Sequence, residues 1–270
     1  MQPGISSYTY TWAVGVPGSL PEKPLSAFGL IDKAHLSGLN LVQIADNMPL
    51  ENWTETQITD LYNYAAVKNV SIEMGGRGLT PEHTYKCLLT ASKLHSPILR
   101  MVIDSVGFEP DLKTINSIIR DLLPEFESRK IRLAIENHDR LKAREFEQIV
   151  QSAGSDMVGI CLDSVNSMGA GEGFETVSEI LLPYTINLHV KDFSIRRVSH
   201  KMGLIIEGTP AGKGMLNIRE LIDKLSVNDS CNSAILELWT PPEASIEDTI
   251  RKEEQWAAES ITFLKKMFKK

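Results

Sequence analysis

IRLAIENHDRLKAREFEQIVQSAGSDMVGICLDSVN, Ile131 to Asn166, is the stretch whose reading settles the fold class. It begins with a short, strand-like apolar run, Ile131–Glu136 (IRLAIE), and reaches a second one at Val158–Asp163 (VGICLD), with a helical segment, Ala143–Ala153, between them. Strand, helix and strand in that order make a parallel pair, and each run ends in an acid. Further along, Thr185–His189 (TINLH) and Ala234–Glu237 (AILE) repeat the pattern of an apolar strand with a polar end. Parallel strands alternating with helices place every strand C-terminus on one side of the sheet. Glu136, Asp163, His189 and Glu237 are therefore expected to converge.

Extended to the whole chain, the pattern predicts eight βα units and a single (β/α)₈ TIM barrel spanning residues 1–270. The first unit pairs strand Gly4–Tyr10 with helix Leu25–Ser37, the second Leu39–Ala45 with Glu55–Lys68, the third Val70–Met74 with Pro81–Leu94. The fourth pairs Ile98–Ile103 with Leu112–Arg129, and the fifth and sixth strands precede Ala143–Ala153 and Phe174–Leu182. Thr185–Val190 with Ile218–Leu225, then Ala234–Leu238 with Ser245–Met267, complete the set. Thr80 followed by Pro81 reads as a helix N-terminus, and Lys265, Lys266, Lys269 and Lys270 suit the negative end of the last helix. Two loops are long, Thr11–Pro24 and Phe193–Asn217, and long loops on this face usually cover the site.

The length of 270 residues is near the usual size of such a barrel. A formal net charge of −7 argues against a nucleic-acid partner, which requires a basic surface. Three cysteines without CxxC spacing, Cys161 among them inside an apolar strand, read as buried thiols in a reducing compartment. No apolar run approaches membrane-spanning length, and MQPGISSYTY lacks the basic and apolar regions of a leader. The expectation is a cytoplasmic protein with a small-molecule partner and no membrane partner; a cleaved leader and a homo-oligomer stay open. No Walker A, GxGxxG or GxSxG pattern occurs.

Three carboxylates and one imidazole suit a single hard or borderline divalent ion. Mn²⁺ heads the expectation, followed by Mg²⁺ and Co²⁺, with Zn²⁺ less favoured because it prefers more nitrogen or sulfur. Asp163 alone reads equally well as a helix cap; four such residues on four successive strand ends do not. Residues i and i+2 share a strand face about 6.5 Å apart, which sets His138 above Glu136, Lys191 above His189 and Trp239 above Glu237. Lys191 is placed to donate to an oxyanion or, if desolvated, to act as a base, and His138 to move a proton. A strand-end salt bridge is an equal reading for Lys191. Trp12 and Trp239 offer flat apolar faces to a sugar ring, Asn166 a hydroxyl partner. Asp46, Arg77 and Glu207 complete the expected substrate contacts, whereas Arg100 reads as a buried ion pair. Gly212, Lys213 and Gly214 read as a glycine turn before a phosphate cradle.

IENH (Ile135–His138), CLDSVN (Cys161–Asn166), LHVKD (Leu188–Asp192) and LELW (Leu236–Trp239) together resemble the xylose-isomerase-like TIM-barrel superfamily. That group includes sugar isomerases, ketose 3-epimerases, inosose dehydratases and type IV AP endonucleases. The resemblance implies a metal held by Glu136, Asp163, His189 and Glu237, with Glu136 and Glu237 also exchanging a proton on a sugar carbon. Asn166 stands where the epimerases usually carry a substrate-binding histidine, which puts epimerisation in doubt but not enolate chemistry. The resemblance thus implies a metal-dependent sugar isomerase or epimerase acting through an enediolate. A keto-sugar or inosose lyase or dehydratase is the alternative. A non-catalytic carbohydrate-binding barrel and an AP endonuclease rank behind both.

Overall fold

The computed structural model describes residues 1–227 and 230–268; Lys269 and Lys270, expected at the end of the last helix, lie outside them. Eight strands close into a parallel barrel: β1 (Gln2–Ser6), β2 (Leu41–Ile44), β3 (Ser71–Arg77), β4 (Ile98–Val102), β5 (Arg132–Glu136), β6 (Val158–Asp163), β7 (Thr185–Val190) and β10 (Ser233–Leu236). Their order around the barrel follows the chain, and β10 pairs with both β7 and β1 to close it. The expected barrel is present. The remaining strands, β8 (Asp192–Arg197) and β9 (Leu204–Thr209), form a separate antiparallel hairpin above it.

The helices are α1 (Thr11–Val14), α2 (Ala27–Leu36), α3 (Glu55–Val67), α4 (Pro81–Lys93), α5 (Leu112–Arg129), α6 (Ala143–Ala153), α7 (Phe174–Leu181), α8 (Ile218–Ser226) and α9 (Ile246–Met267). Side-chain caps start most of the longer ones: Thr80 accepts from His83 N ahead of Pro81, and Asp111 accepts from Thr114 N. No helix among the described residues is long and apolar enough to cross a membrane. In α9, Thr249, Ala257, Ile261 and Leu264 face the core together with an acid, Glu253. Glu253 is accommodated because its two oxygens accept from Trp12 N (2.9 Å) and Ala13 N (3.0 Å), two otherwise unpaired donors at the start of α1.

Two strand ends lie three residues or more from those expected. The first strand stops at Ser6, not Tyr10, because the Ser6 hydroxyl accepts from Tyr8 N and Thr9 Oγ1 accepts from Ser6 N, turning SYTY into a 3₁₀ turn. The third continues past Met74 through Gly75 and Gly76 to Arg77. A Cβ at Gly75 would lie 3.3 Å from Arg100 Cδ and 3.3 Å from Ala45 Cα, so glycine here makes room for a buried arginine beside a continuous strand. The loop expected over Phe193–Asn217 contains most of the β8–β9 hairpin. The amides of Gly212 and Gly214 donate to Asp192 Oδ2 at 2.8 and 2.9 Å, and Leu216 N to Oδ1 at 3.0 Å. This glycine loop cradles the chain's own carboxylate.

Candidate functional site

β5 and β6 end in Glu136 and Asp163, β7 carries His189, and Glu237 immediately follows β10. Parallel register sets Asp163 beside His189, with Ile235, two residues before Glu237, on its other side, and Glu136 beside Cys161. His189 Nδ1 lies 3.5 Å from Glu136 Oε2, 3.7 Å from Asp163 Oδ2 and 3.5 Å from Glu237 Oε1. All four residues are buried; Glu136 Oε2 also meets Arg100 Nε and Asp163 Oδ2 meets Lys191 Nζ at 2.8 Å, while His189 Nδ1 and Glu237 Oε1 have no hydrogen-bond partner. Asp163, His189 and Glu237 offer ligand atoms within 4.8 Å of one another, and Glu136 groups with His189 and Cys161; oxygen-rich ligation with one imidazole fits a divalent ion.

The other ring nitrogen explains how His189 is aimed. Nε2 lies 2.7 Å from Gln43 Oε1, and an amide oxygen only accepts, so Nε2 carries the proton. Gln43 cannot turn over without loss, since its Nε2 donates to Glu73 Oε2 (3.1 Å) and Asn187 Oδ1 (3.2 Å). The layer inside the barrel thereby directs Nδ1 at the carboxylates. Burial disfavours charge on the imidazole, but Glu237 and Glu136 outweigh it and raise its pKa.

Asp163 divides its two oxygens. Oδ1 accepts from Val165 N and Asn166 N, both at 2.9 Å, and Oδ2 faces the cluster. Lys191 Nζ sits 2.8 Å from that Oδ2 and 2.9 Å from Glu237 Oε2. Burial works to raise both acids, yet Lys191 and His189 hold Asp163 and Glu237 below the usual carboxylate range. Burial likewise opposes the Lys191 charge, and Asp163 and Glu237 reverse that, raising its pKa. Lys191 is a fixed ammonium.

Above this floor opens a cavity of 490 Å³. Trp12, Arg77, His138, Asn166, Lys191, Glu207 and Trp239 all line it, together with Glu136 and Glu237. Asp163 and His189 lie beneath. Asp46 stands behind the wall, its oxygens accepting from Tyr8 Oη (3.0 Å), Arg77 Nε (3.0 Å) and Arg100 NH1 (3.1 Å). Asn166 Nδ2 donates to Glu136 Oε1 (2.7 Å), and the Trp12 indole N–H donates to Thr240 O (2.8 Å). Arg100 is the buried ion-pair partner expected, but its partners are Asp46 and Glu136 at the site itself. Gln43, Glu73 and Tyr8 escaped the sequence reading. The legible signal was a polar residue in an otherwise apolar buried strand, as in LVQI and SIEM.

Barrel and cluster define a class: (β/α)₈ proteins with three acids and one histidine gathered at the C-terminal strand ends. The family model for the xylose isomerase-like TIM barrel matches residues 82–267. The chain is 30% identical over 261 residues to a 3-oxo-isoapionate decarboxylase of Pectobacterium atrosepticum, covering 97% of this chain and 94% of that one. Similar solved structures include D-psicose 3-epimerase with D-tagatose from Clostridium cellulolyticum H10 (TM-score 0.74, 13% identity, 100% of each chain). A xylose isomerase-like TIM barrel protein from Mycobacterium smegmatis in complex with magnesium is another (TM-score 0.66, 14% identity, 98% of this chain and 97% of that one). At such identity these structures show the fold alone. The chain belongs to the xylose isomerase-like TIM barrel family, and the relatives named include sugar-processing enzymes.

Proposed function

We propose that this chain is a divalent-metal-dependent isomerase or epimerase of a sugar or sugar derivative, working through an enediolate, with Glu136, Asp163, His189 and Glu237 holding the cation. The observation that carries the reading is the grouping of Glu136, Asp163 and Glu237 around His189 Nδ1, each with an oxygen 3.5 to 3.7 Å from it, at the floor of the cavity. Bound there, a divalent cation supplies Lewis acidity and a template for a carbonyl and an adjacent hydroxyl. Glu237 is held ionised at neutral pH against its burial and lines the cavity, so it is the group placed to take a proton from the carbon beside that carbonyl. Lys191, charged and pinned between two acids, serves as a donor to developing negative oxygen and not as a base. His138, at the cavity wall, exchanges protons at its outer edge. Trp12 and Trp239 provide apolar faces for the carbon skeleton.

A second reading, decarboxylation of a 3-oxo sugar acid, is favoured by the full-length similarity to a decarboxylase. There the carbon–carbon bond to the carboxylate breaks, its electron pair enters the carbonyl as an enediolate, carbon dioxide leaves, and a proton returns to carbon. Such a reaction needs one proton-delivering group where epimerisation needs two. Glu136 is tied at both oxygens, by Arg100 and by Asn166, which suits the one-group scheme.

The test is a screen of ketoses, inososes and 3-oxo sugar acids with manganese in deuterated water. Label uptake at constant mass supports isomerisation or epimerisation, and release of carbon dioxide supports the lyase. Glu237→Gln should abolish either while leaving the fold intact. Unchanged rates in excess chelator would exclude metal dependence.

A further inference from the structure

Glu253 stands among the core-facing residues of α9, fully buried. Among the described residues its oxygens accept from two backbone donors, Trp12 N (Oε1, 2.9 Å) and Ala13 N (Oε2, 3.0 Å). These are the second and third residues of α1, and Tyr10, which precedes that helix, supplies no side-chain cap. A carboxylate from another helix therefore acts as the N-cap. With only four residues, α1 is too short to be held by its own hydrogen bonds. Its placement depends on what grips it from outside.

The residue so gripped faces the cavity. Trp12 lines it, and its indole N–H donates to Thr240 O at 2.8 Å. Thr240 and Pro241 line the cavity as well. Lys252, next to Glu253 in α9, donates to Pro241 O at 3.1 Å and to Glu243 Oε1 at 2.7 Å. Two adjacent side chains of α9 thus hold both sides of the Trp12–Thr240 contact, Glu253 from the α1 side and Lys252 from the strand-end side.

We infer that Glu253 is a positioning residue for the cavity: through the Trp12 and Ala13 amides its carboxylate fixes Trp12 as the flat face against which a sugar ring rests. This rests on the sugar-facing role proposed for Trp12 above. The hold varies with pH. Burial pushes Glu253 up to about 7; Glu254 adds to that push, and Lys33 of α2 opposes it. Lys33 is itself engaged by Glu254 and stands over the Tyr10 ring, and Tyr10 stays neutral because burial raises its phenol. Once protonated, the Glu253 carboxyl keeps one full acceptor, and the amide facing its hydroxyl oxygen loses a charge-assisted bond. Trp12 is held more firmly above pH 7 than below it.

Fluorine NMR of fluorotryptophan-labelled protein in magnesium buffer tests this. Of the four tryptophan signals, the one that Trp12→Phe removes should shift between about pH 6 and 8 with a midpoint near 7. The signal of Trp53, stacked on Phe28, should stay in place. Glu253→Gln sets an N–H against one of the two backbone donors, so it should move the Trp12 signal at pH 8 and abolish its pH step. Added xylulose should perturb the Trp12 signal, with an affinity about tenfold lower in Glu253→Gln, the size expected for one charge-assisted hydrogen bond. In a Trp12→Ala background, read at Trp239, Glu253→Gln should change that affinity by about twofold at most, because its effect runs through Trp12. A Trp12 signal indifferent to pH and to Glu253→Gln overturns the inference. So does equal movement of the Trp53 signal, or an undiminished tenfold loss without Trp12. Should Glu253→Gln not fold, the pH step of the native protein decides alone. A Trp12 signal that follows Glu253 but not xylulose removes the sugar-facing role and the inference with it. Xylulose moving that signal without any dependence on Glu253 overturns the positioning role alone. Neither outcome alters the deuterium and carbon dioxide readouts of the proposed reaction.

Discussion

Gln43 sits in β2 with its amide held between Glu73 and Asn187 on one side and His189 on the other. No acidic or basic chemistry marks it in the sequence, yet it decides which nitrogen of His189 faces the carboxylates. Replacing it by leucine removes the acceptor for Nε2–H and frees the ring to reorient. Gln43→Leu is expected to weaken manganese binding by about 10- to 100-fold, the usual cost of losing such a support. Gln43→Glu keeps an acceptor for Nε2–H but loses the donor to Glu73 and Asn187, so it should recover only part of that loss. Calorimetric titration of metal-stripped protein measures both, and an unchanged Gln43→Leu affinity would remove Gln43 from this role. At the same scale, Asp163 shows why helix capping and cation binding were hard to separate by reading alone. Its Oδ1 accepts from the Val165 and Asn166 amides in the turn after β6, and its Oδ2 faces the cluster.

Among the elements, the β8–β9 hairpin forms part of the cavity wall. Ile206, Glu207 and Gly208 line it next to Trp239. Gly208 passes so close to Trp239 that an added Cβ would collide with the Trp239 carbonyl and Cβ. Gly208→Val should therefore lift the hairpin and raise KM by about tenfold with a smaller effect on kcat, because it disturbs the cover and not the floor. Since the hairpin lies outside the barrel ladder, the melting temperature should barely move; a large fall in it with KM unaltered would contradict this account. The sequence located the long loop but not its strands, because the pairing of Asp192–Arg197 with Leu204–Thr209 is a contact between segments. The extension of β3 through two glycines was hidden for a related reason. Gly-Gly reads as a break until Arg100 is seen beside Gly75, and Met101 and Cys87 beside Gly76, in the space that the missing side chains leave.

The whole molecule carries a pH signature from acids buried away from the cluster. Burial pushes Glu73 up from 4.5 to about 6, against hydrogen bonds from Ser233 and Gln43 that lower it. Burial pushes Glu253 up to about 7, against the Trp12 and Ala13 amides. In both cases the folded chain holds its proton to higher pH than the unfolded chain. Stability from this source is complete below about pH 4.5 and is lost as pH rises through 6 to 7. For Glu73 the shift corresponds to about 2 kcal/mol. Denaturant unfolding between pH 5 and 7, in chelator, should show Glu73→Gln losing that part of the slope. An identical pH dependence in variant and native protein would refute the assignment.

The order of strands and helices, the barrel, and the four polar strand ends were written in the sequence. Each depends on local alternation and on a parallel topology that sends every strand C-terminus to the same side. Closure decided the rest. It carried Gln43 of β2 across the barrel interior to His189 of β7, paired Arg100 with Glu136 and Asp46, and turned the glycine loop onto Asp192. These are contacts between residues up to 146 positions apart, and side-chain periodicity along one strand contains no information about which strand will face it across a closed sheet.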